Sequence, residues 1–138
     1  MIKKKGVKIE MILVTGGAFQ GKKEYVAEQF EISQQDMVDG ENCSWDELRQ
    51  CRCLFHFHLF IKRMMEGGED PSDLCEILIE ENPNIIIVTN EVGYGIVPLE
   101  RFEREYREKC GRICCEIAKE AKEVHRVVCG IGQVIKRA

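Results

Sequence analysis

Four short apolar runs, separated by segments whose apolar positions recur every three to four residues, set the layout of this chain. Ile12 to Thr15 predicts a buried strand of the continuously apolar kind found in parallel sheets with both faces covered. From Lys22 to about Phe30, the positions Tyr25, Val26 and Phe30 fit a helix. Asp36 to Gly40 is shorter and less apolar, and predicts a second strand ending in Asp39. Ser44 and Glu47 have the spacing of a capping box, which starts a helix at Trp45. Leu48, Cys51, Phe55 and Leu59 on one stripe, widened by Leu54, Phe57, Ile61 and Met64, extend that helix to about Met65 and make it apolar nearly all round. Such a helix is buried or lies between subunits. Gly67-Gly68 ends it, and Asp70-Pro71 opens another that carries Leu74, Ile77 and Leu78 inward until Asn82-Pro83. Asn84 to Asn90, rich in β-branched residues, is the clearest strand. Pro98 then starts a long helix to about Lys122, with Phe102, Tyr106, Cys110, Ile113 and Ile117 inward, and Val124 to Cys129 forms a last strand before Gly130-Ile131-Gly132. This order predicts a three-layer α/β fold, residues 11–138, with a mainly parallel sheet of four to five strands; residues 1–10 read as an arm or added edge strand.

The first strand and helix enclose the chemistry. Between them, Gly16-Gly17-Ala18-Phe19-Gln20-Gly21-Lys22-Lys23 follows the phosphate-loop pattern, in which glycines let backbone N–H groups converge on phosphate oxygens and a lysine reaches the β- and γ-phosphates. Strand before and helix after are the context that the motif requires, with the helix N-terminus aimed at an anion. The pattern departs at its last position, where Lys23 replaces the Ser or Thr whose hydroxyl holds Mg²⁺. An ammonium cannot ligate Mg²⁺ but can place charge near phosphates, so nucleotide binding is expected to survive better than phosphoryl transfer. Asp39 is the candidate for Mg²⁺, because acids at neighbouring strand ends serve that role; a solvated turn at Asp39-Gly40 is the plainer alternative. Asn90 and Glu91, at the polar end of the clearest strand and followed by Val92-Gly93-Tyr94-Gly95, are candidates for the acceptor side.

Composition narrows the partners. The chain has 138 residues, 44% hydrophobic and 32% charged, with a net charge of −4, which gives no electrostatic case for nucleic acid. Its apolar runs are too short to span a membrane and no cleavable signal opens it, so the eight cysteines are expected as thiols in a reducing cytoplasm. Cys110, Cys114 and Cys115, with Cys51 and Cys53, lack a C-x-x-C spacing and read as small buried hydrophobes. His56 and His58, two apart within the predicted apolar helix, point to different faces and read as buried or interfacial rather than as a metal pair.

The segments MILVTGG-x-x-x-GK, IIIVTNEVGYGIVP, FEREYREKCGRI and EVHRVVCGIGQVIK together resemble the adenosylcobinamide kinase/adenosylcobinamide-phosphate guanylyltransferase family of cobalamin biosynthesis. The resemblance implies ATP- or GTP-dependent phosphorylation of a cobinamide hydroxyl, then GMP transfer through a covalently guanylylated histidine, in a homotrimer. It implies Lys22 on the transferring phosphate. The interval from Glu31 to Asn84 contains no histidine before His56, so the guanylyl-accepting segment is expected to be missing. Cys114-Cys115 also stands where the family's long helix carries an Asn-Gln pair. An abbreviated corrinoid kinase and a nucleotide-binding or corrinoid-sensing protein without catalysis are the two expectations.

Overall fold

The computed structural model describes residues 8–92 and 100–137. The Val92-Gly93-Tyr94-Gly95 turn beyond Val92, the start of the long helix at Pro98, and most of the N-terminal arm lie outside the described residues. Among the described residues, six strands form one sheet: β1 (Ile12–Gly16), β2 (Val38–Asp39), β3 (Cys53–Phe55), β4 (Ile86–Asn90), β5 (Glu123–Val128) and β6 (Ile131–Arg137). Their order is β2-β3-β4-β1-β5-β6, with every pairing parallel except the antiparallel β5–β6 hairpin. The helices are α1 (Lys22–Gln29), α2 (Trp45–Gln50), α3 (Phe57–Glu66), α4 (Leu74–Glu81) and α5 (Arg101–Glu120).

Alternation along the strands produces the three layers. Leu13, Leu54, Ile87 and Val124 join one buried cluster with α3, α4 and α5, while Val14, Cys53, Ile86, Val88 and Val127 join another with Val26 of α1. Successive side chains of a strand face opposite sides, so a continuously apolar strand is what a sheet covered on both faces needs.

Two elements differ from the sequence reading. The helix predicted from Trp45 to Met65 is broken: α2 ends at Gln50, and Cys53–Phe55 is a strand paired with both β2 and β4. A short apolar run satisfies a buried strand and a buried helix equally well, and here sheet pairing prevails. The capping box at Ser44 and Glu47 is present, with both of its hydrogen bonds. The apolar face of α3 (Phe57, Phe60, Ile61 and Met64) is buried within the chain's own core, so it requires no subunit interface. The second difference is β6, which follows β5 through the two-residue turn Cys129-Gly130. Both turn residues have positive φ, 51° and 76°, as the tight hairpin turns matched to strand twist require.

That hairpin supports α1. Gly132 leaves room for the Tyr25 ring, which a Cβ would overlap, and the Tyr25 hydroxyl lies 2.6 Å from Nδ1 of the buried His125. His125 Nε2 in turn contacts Glu123 at 2.7 Å.

Candidate functional site

The phosphate-loop sequence forms a turn between the end of β1 and the first turn of α1. Gly21, the N-cap of α1, has φ 81°, a left-handed conformation that favours glycine. Gly16 is required by close approach, since a Cβ there would lie 2.5 Å from the Val127 carbonyl oxygen. Gln20 ties the loop to the β5–β6 turn twice: its side-chain oxygen accepts from the Cys129 N–H at 2.7 Å, and its carbonyl from the Gly130 N–H at 2.7 Å. Phe19, at φ 60°, is fully exposed.

Lys22 is only 8% exposed, and its ammonium donates to the Gly17 carbonyl at 2.6 Å. Burial pulls its pKa down, and the Glu91 carboxylate opposes that shift. Lys23 points differently, with Nζ 4.0 Å from the centre of the Phe55 ring. A cavity of about 300 Å³ opens here, walled by Ala18 to Glu24 on the loop side and by Phe55, His56, Val88 and Asn90 on the other.

A second cavity, of about 230 Å³, lies on the α5 side of the same strand ends. Thr15, Thr89, Asn90, Glu91, Cys110, Gly111 and Cys114 line it, so Asn90 borders both cavities. Glu91 donates its N–H to the Gly16 carbonyl at 2.8 Å, and its carboxylate accepts two hydrogen bonds from Arg126, at 2.7 and 3.2 Å. The Asn90 N–H donates to His58 Nδ1 at 3.2 Å, which leaves the His58 proton on Nε2. Burial, with the positive charges of its surroundings, pushes His58 down to about 4, so it is neutral at physiological pH. Tyr106 fixes the same turn of α3 by donating to the His58 carbonyl at 2.9 Å.

Asp39 closes β2, but it does not line the loop-side cavity. Its Oδ1 accepts from the Glu41 N–H at 2.8 Å and meets His56 Nδ1 at 2.9 Å. His56, at φ 56°, is the N-cap of α3 rather than a residue inside a helix, and the parallel pairing of Asp39 with Phe55 brings it beside Asp39. Gly40 makes this possible: its N–H donates to the Phe55 carbonyl at 2.7 Å, and a Cβ would lie 2.5 Å from the His56 oxygen. Arg63 holds the loop by donating to the Gly40 and Cys43 carbonyls, at 2.8 and 3.1 Å. One ligand atom each from Asp39, Glu41 and His56 lies within 4.8 Å of the others. That mixed carboxylate-imidazole set can hold a divalent cation, whereas the loop itself offers no hydroxyl for one.

The sequence-derived residues are thus brought to one sheet edge but divided among three places. Ala18 to Lys23 and Asn90 wall the first cavity, Glu91 lies in the second, and Asp39 reaches the first through His56. Gly16 and Gly17 shape the loop from behind. Phe55, His56, His58, Arg126 and the tether of Gln20 were not legible as site residues. The alternation Phe55-His56-Phe57-His58 is the one signal that could have suggested a strand entering the site.

No helix among the described residues is long and apolar enough to cross a membrane. The sequence profile of the family described as cobinamide kinase / cobinamide phosphate guanyltransferase matches residues 51–135. The bifunctional adenosylcobalamin biosynthesis protein CobU of Escherichia coli is 50% identical over 52 residues, which are 38% of this chain and 29% of that protein. CobU of Salmonella typhimurium has the same identity and coverage. The bifunctional adenosylcobalamin biosynthesis protein CobP of Pseudomonas aeruginosa is 36% identical over 63 residues, 46% of this chain and 36% of that protein. The aligned stretches therefore span less than two fifths of each relative. With more than half of its length matched by the profile, and with the parallel α/β fold in place, the chain belongs to the cobinamide kinase / cobinamide phosphate guanyltransferase family.

Proposed function

We propose that this chain catalyses nucleotide-dependent phosphorylation, from ATP or GTP, of adenosylcobinamide or a related corrinoid alcohol in cobalamin biosynthesis. The supporting observation is the pair of cavities meeting at Asn90, one bordered by the phosphate loop and the other by Glu91. The corrinoid hydroxyl oxygen attacks the γ-phosphorus, the bond to the β,γ-bridging oxygen breaks, and a nucleoside diphosphate leaves. Lys22 leaves the Gly17 carbonyl to meet the transferring phosphate, which neutralises charge that develops on it. Asn90 orients the acceptor, and Glu91 receives the hydroxyl proton, with Arg126 fixing its position. A divalent cation entering with the nucleotide would be held by Asp39, with Glu41 and His56, and would supply further charge stabilisation. The working assembly is a homo-oligomer, a trimer by resemblance; the exposed apolar residues Ile131 and Ile135 on the sheet's last strand give it contact surface, and light scattering checks its mass.

A second reading is a nucleotide-binding or corrinoid-sensing protein without catalysis. Lys23 in place of the metal-binding hydroxyl favours it. Incubation with ATP or GTP, Mg²⁺ and cobinamide separates the two by mass spectrometry of the corrinoid. Phosphocobinamide supports the kinase, whereas unmodified corrinoid alongside measurable nucleotide binding supports the second reading. Lys22→Ala should abolish nucleotide binding under either, and unchanged titration would remove both. Guanylyl transfer is the activity we expect to be absent; a phosphoramidate label on His56, His58 or His125 after incubation with GTP would overturn that.

A further inference from the structure

Phosphate loops ordinarily close the charge on a nucleotide with a divalent cation, held on one side by the Ser or Thr after the lysine and on the other by an acid at a neighbouring strand end. In this chain both sides of that arrangement are altered. The residue after Lys22 is a second lysine, and the β3 end that faces it presents an aromatic ring and an imidazole, Phe55 and His56. The two lysines are also held apart. Lys22 is turned into the loop and donates to the Gly17 carbonyl, whereas Lys23 lies across the cavity with Nζ 4.0 Å from the Phe55 ring centre. A ring face attracts an ammonium without neutralising it, so Phe55 orients Lys23 and leaves its charge available to an incoming anion. A carboxylate partner would have cancelled that charge.

We propose that Lys23, oriented by Phe55, takes over the charge-closing role of the divalent cation in nucleotide binding, so that this chain binds nucleoside triphosphates without metal. This rests on the nucleotide-binding reading above and concerns binding alone; any cation at Asp39, Glu41 and His56 would then serve transfer rather than affinity. An ammonium is fixed to the chain and needs no loading, so the affinity ceases to depend on the free concentration of Mg²⁺.

The test is calorimetric titration of the full chain with ATP and with GTP, in excess Mg²⁺ and in excess EDTA. The expected result is a Kd in EDTA within about threefold of that in Mg²⁺, on the scale where tenfold is one decade of affinity. Lys23→Ser should weaken binding in EDTA by about tenfold or more and restore it with Mg²⁺, which also shows that the variant is folded. Phe55→Leu, which keeps an apolar side chain at β3 but removes the ring, should weaken binding by a few-fold in EDTA and in Mg²⁺ alike, because Lys23 loses its orientation and the loop still has no hydroxyl to recruit the cation. A native chain that binds in Mg²⁺ but loses the nucleotide in EDTA would overturn the proposal while preserving the nucleotide reading. No binding in either buffer would overturn that reading, and this proposal with it.

Discussion

Glu91 receives the Arg126 guanidinium on both carboxylate oxygens, so the residue after β4 is clamped to β5 across the end of β1. Strand register makes the clamp possible, since Gly16 pairs with Asn90 on one side and Thr15 with Arg126 on the other. The pair is partly exposed, and its worth to stability is at most about 1 kcal/mol. Its larger effect should be on chemistry. Glu91→Gln is expected to lower single-turnover phosphoryl transfer by about 10²-fold or more while nucleotide Kd changes by less than about threefold. Unchanged transfer would remove Glu91 from the acceptor side.

His58 makes stability depend on pH. The unfolded chain takes up a proton there near 6.5, and the folded chain only near 4. Between those values the unfolded state binds more protons, so this contribution is complete above pH 6.5 and is lost as pH falls towards 4. The loss should be on the order of 3 kcal/mol. Urea unfolding of the native chain and of His58→Asn, whose side-chain oxygen can accept from Asn90 without titrating, isolates it. The two stabilities should converge on acidification, and parallel pH profiles would count against the assignment.

Gly40→Ala should destabilise the fold by about 2–3 kcal/mol, because the new methyl meets the His56 carbonyl oxygen, a backbone atom that cannot rotate away. Denaturant midpoints measure this. The same variant should displace His56 from Asp39, which histidine NMR shifts would report; a midpoint within about 0.5 kcal/mol of the native chain would show that the strand end has more freedom than its contacts suggest.

Gln20→Ala removes the side-chain half of the loop's tether and keeps the Gly130 bond to its carbonyl. Nucleotide affinity should fall by about three- to tenfold through lost preorganisation. Melting temperature should move by only a few degrees, as expected for one exposed hydrogen bond of about 1 kcal/mol. A large drop in melting temperature with unchanged affinity would reverse the interpretation.

The phosphate loop, the clearest strand and the long amphipathic helix were legible because each is coded locally: glycines in a turn, β-branched residues in a run, and apolar positions at helical spacing. The meeting of Asp39 and His56 was not. It arises from the parallel register of β2 and β3, and the three residues of β3 are too few, and too like their apolar neighbours, to be distinguished from a helix. Sequence periodicity therefore places His56 in a helix interior, whereas its left-handed backbone ends a strand and starts a helix. The Arg126 clamp was hidden for the same reason, because a long-range pair has no spacing to read. β6 follows a turn whose first residue is cysteine, where Asn or Asp would have announced the hairpin.

The β5–β6 turn contributes no side chain to either cavity, yet its two amides are bonded to Gln20. The last strand of the chain and its first loop consequently form one unit of local opening: the loop cannot swing away without releasing both amides to solvent. Hydrogen exchange at Cys129 and Gly130 therefore records the loop's closed fraction, and an occupant of the loop-side cavity would be felt as slowed exchange more than a hundred residues away in sequence.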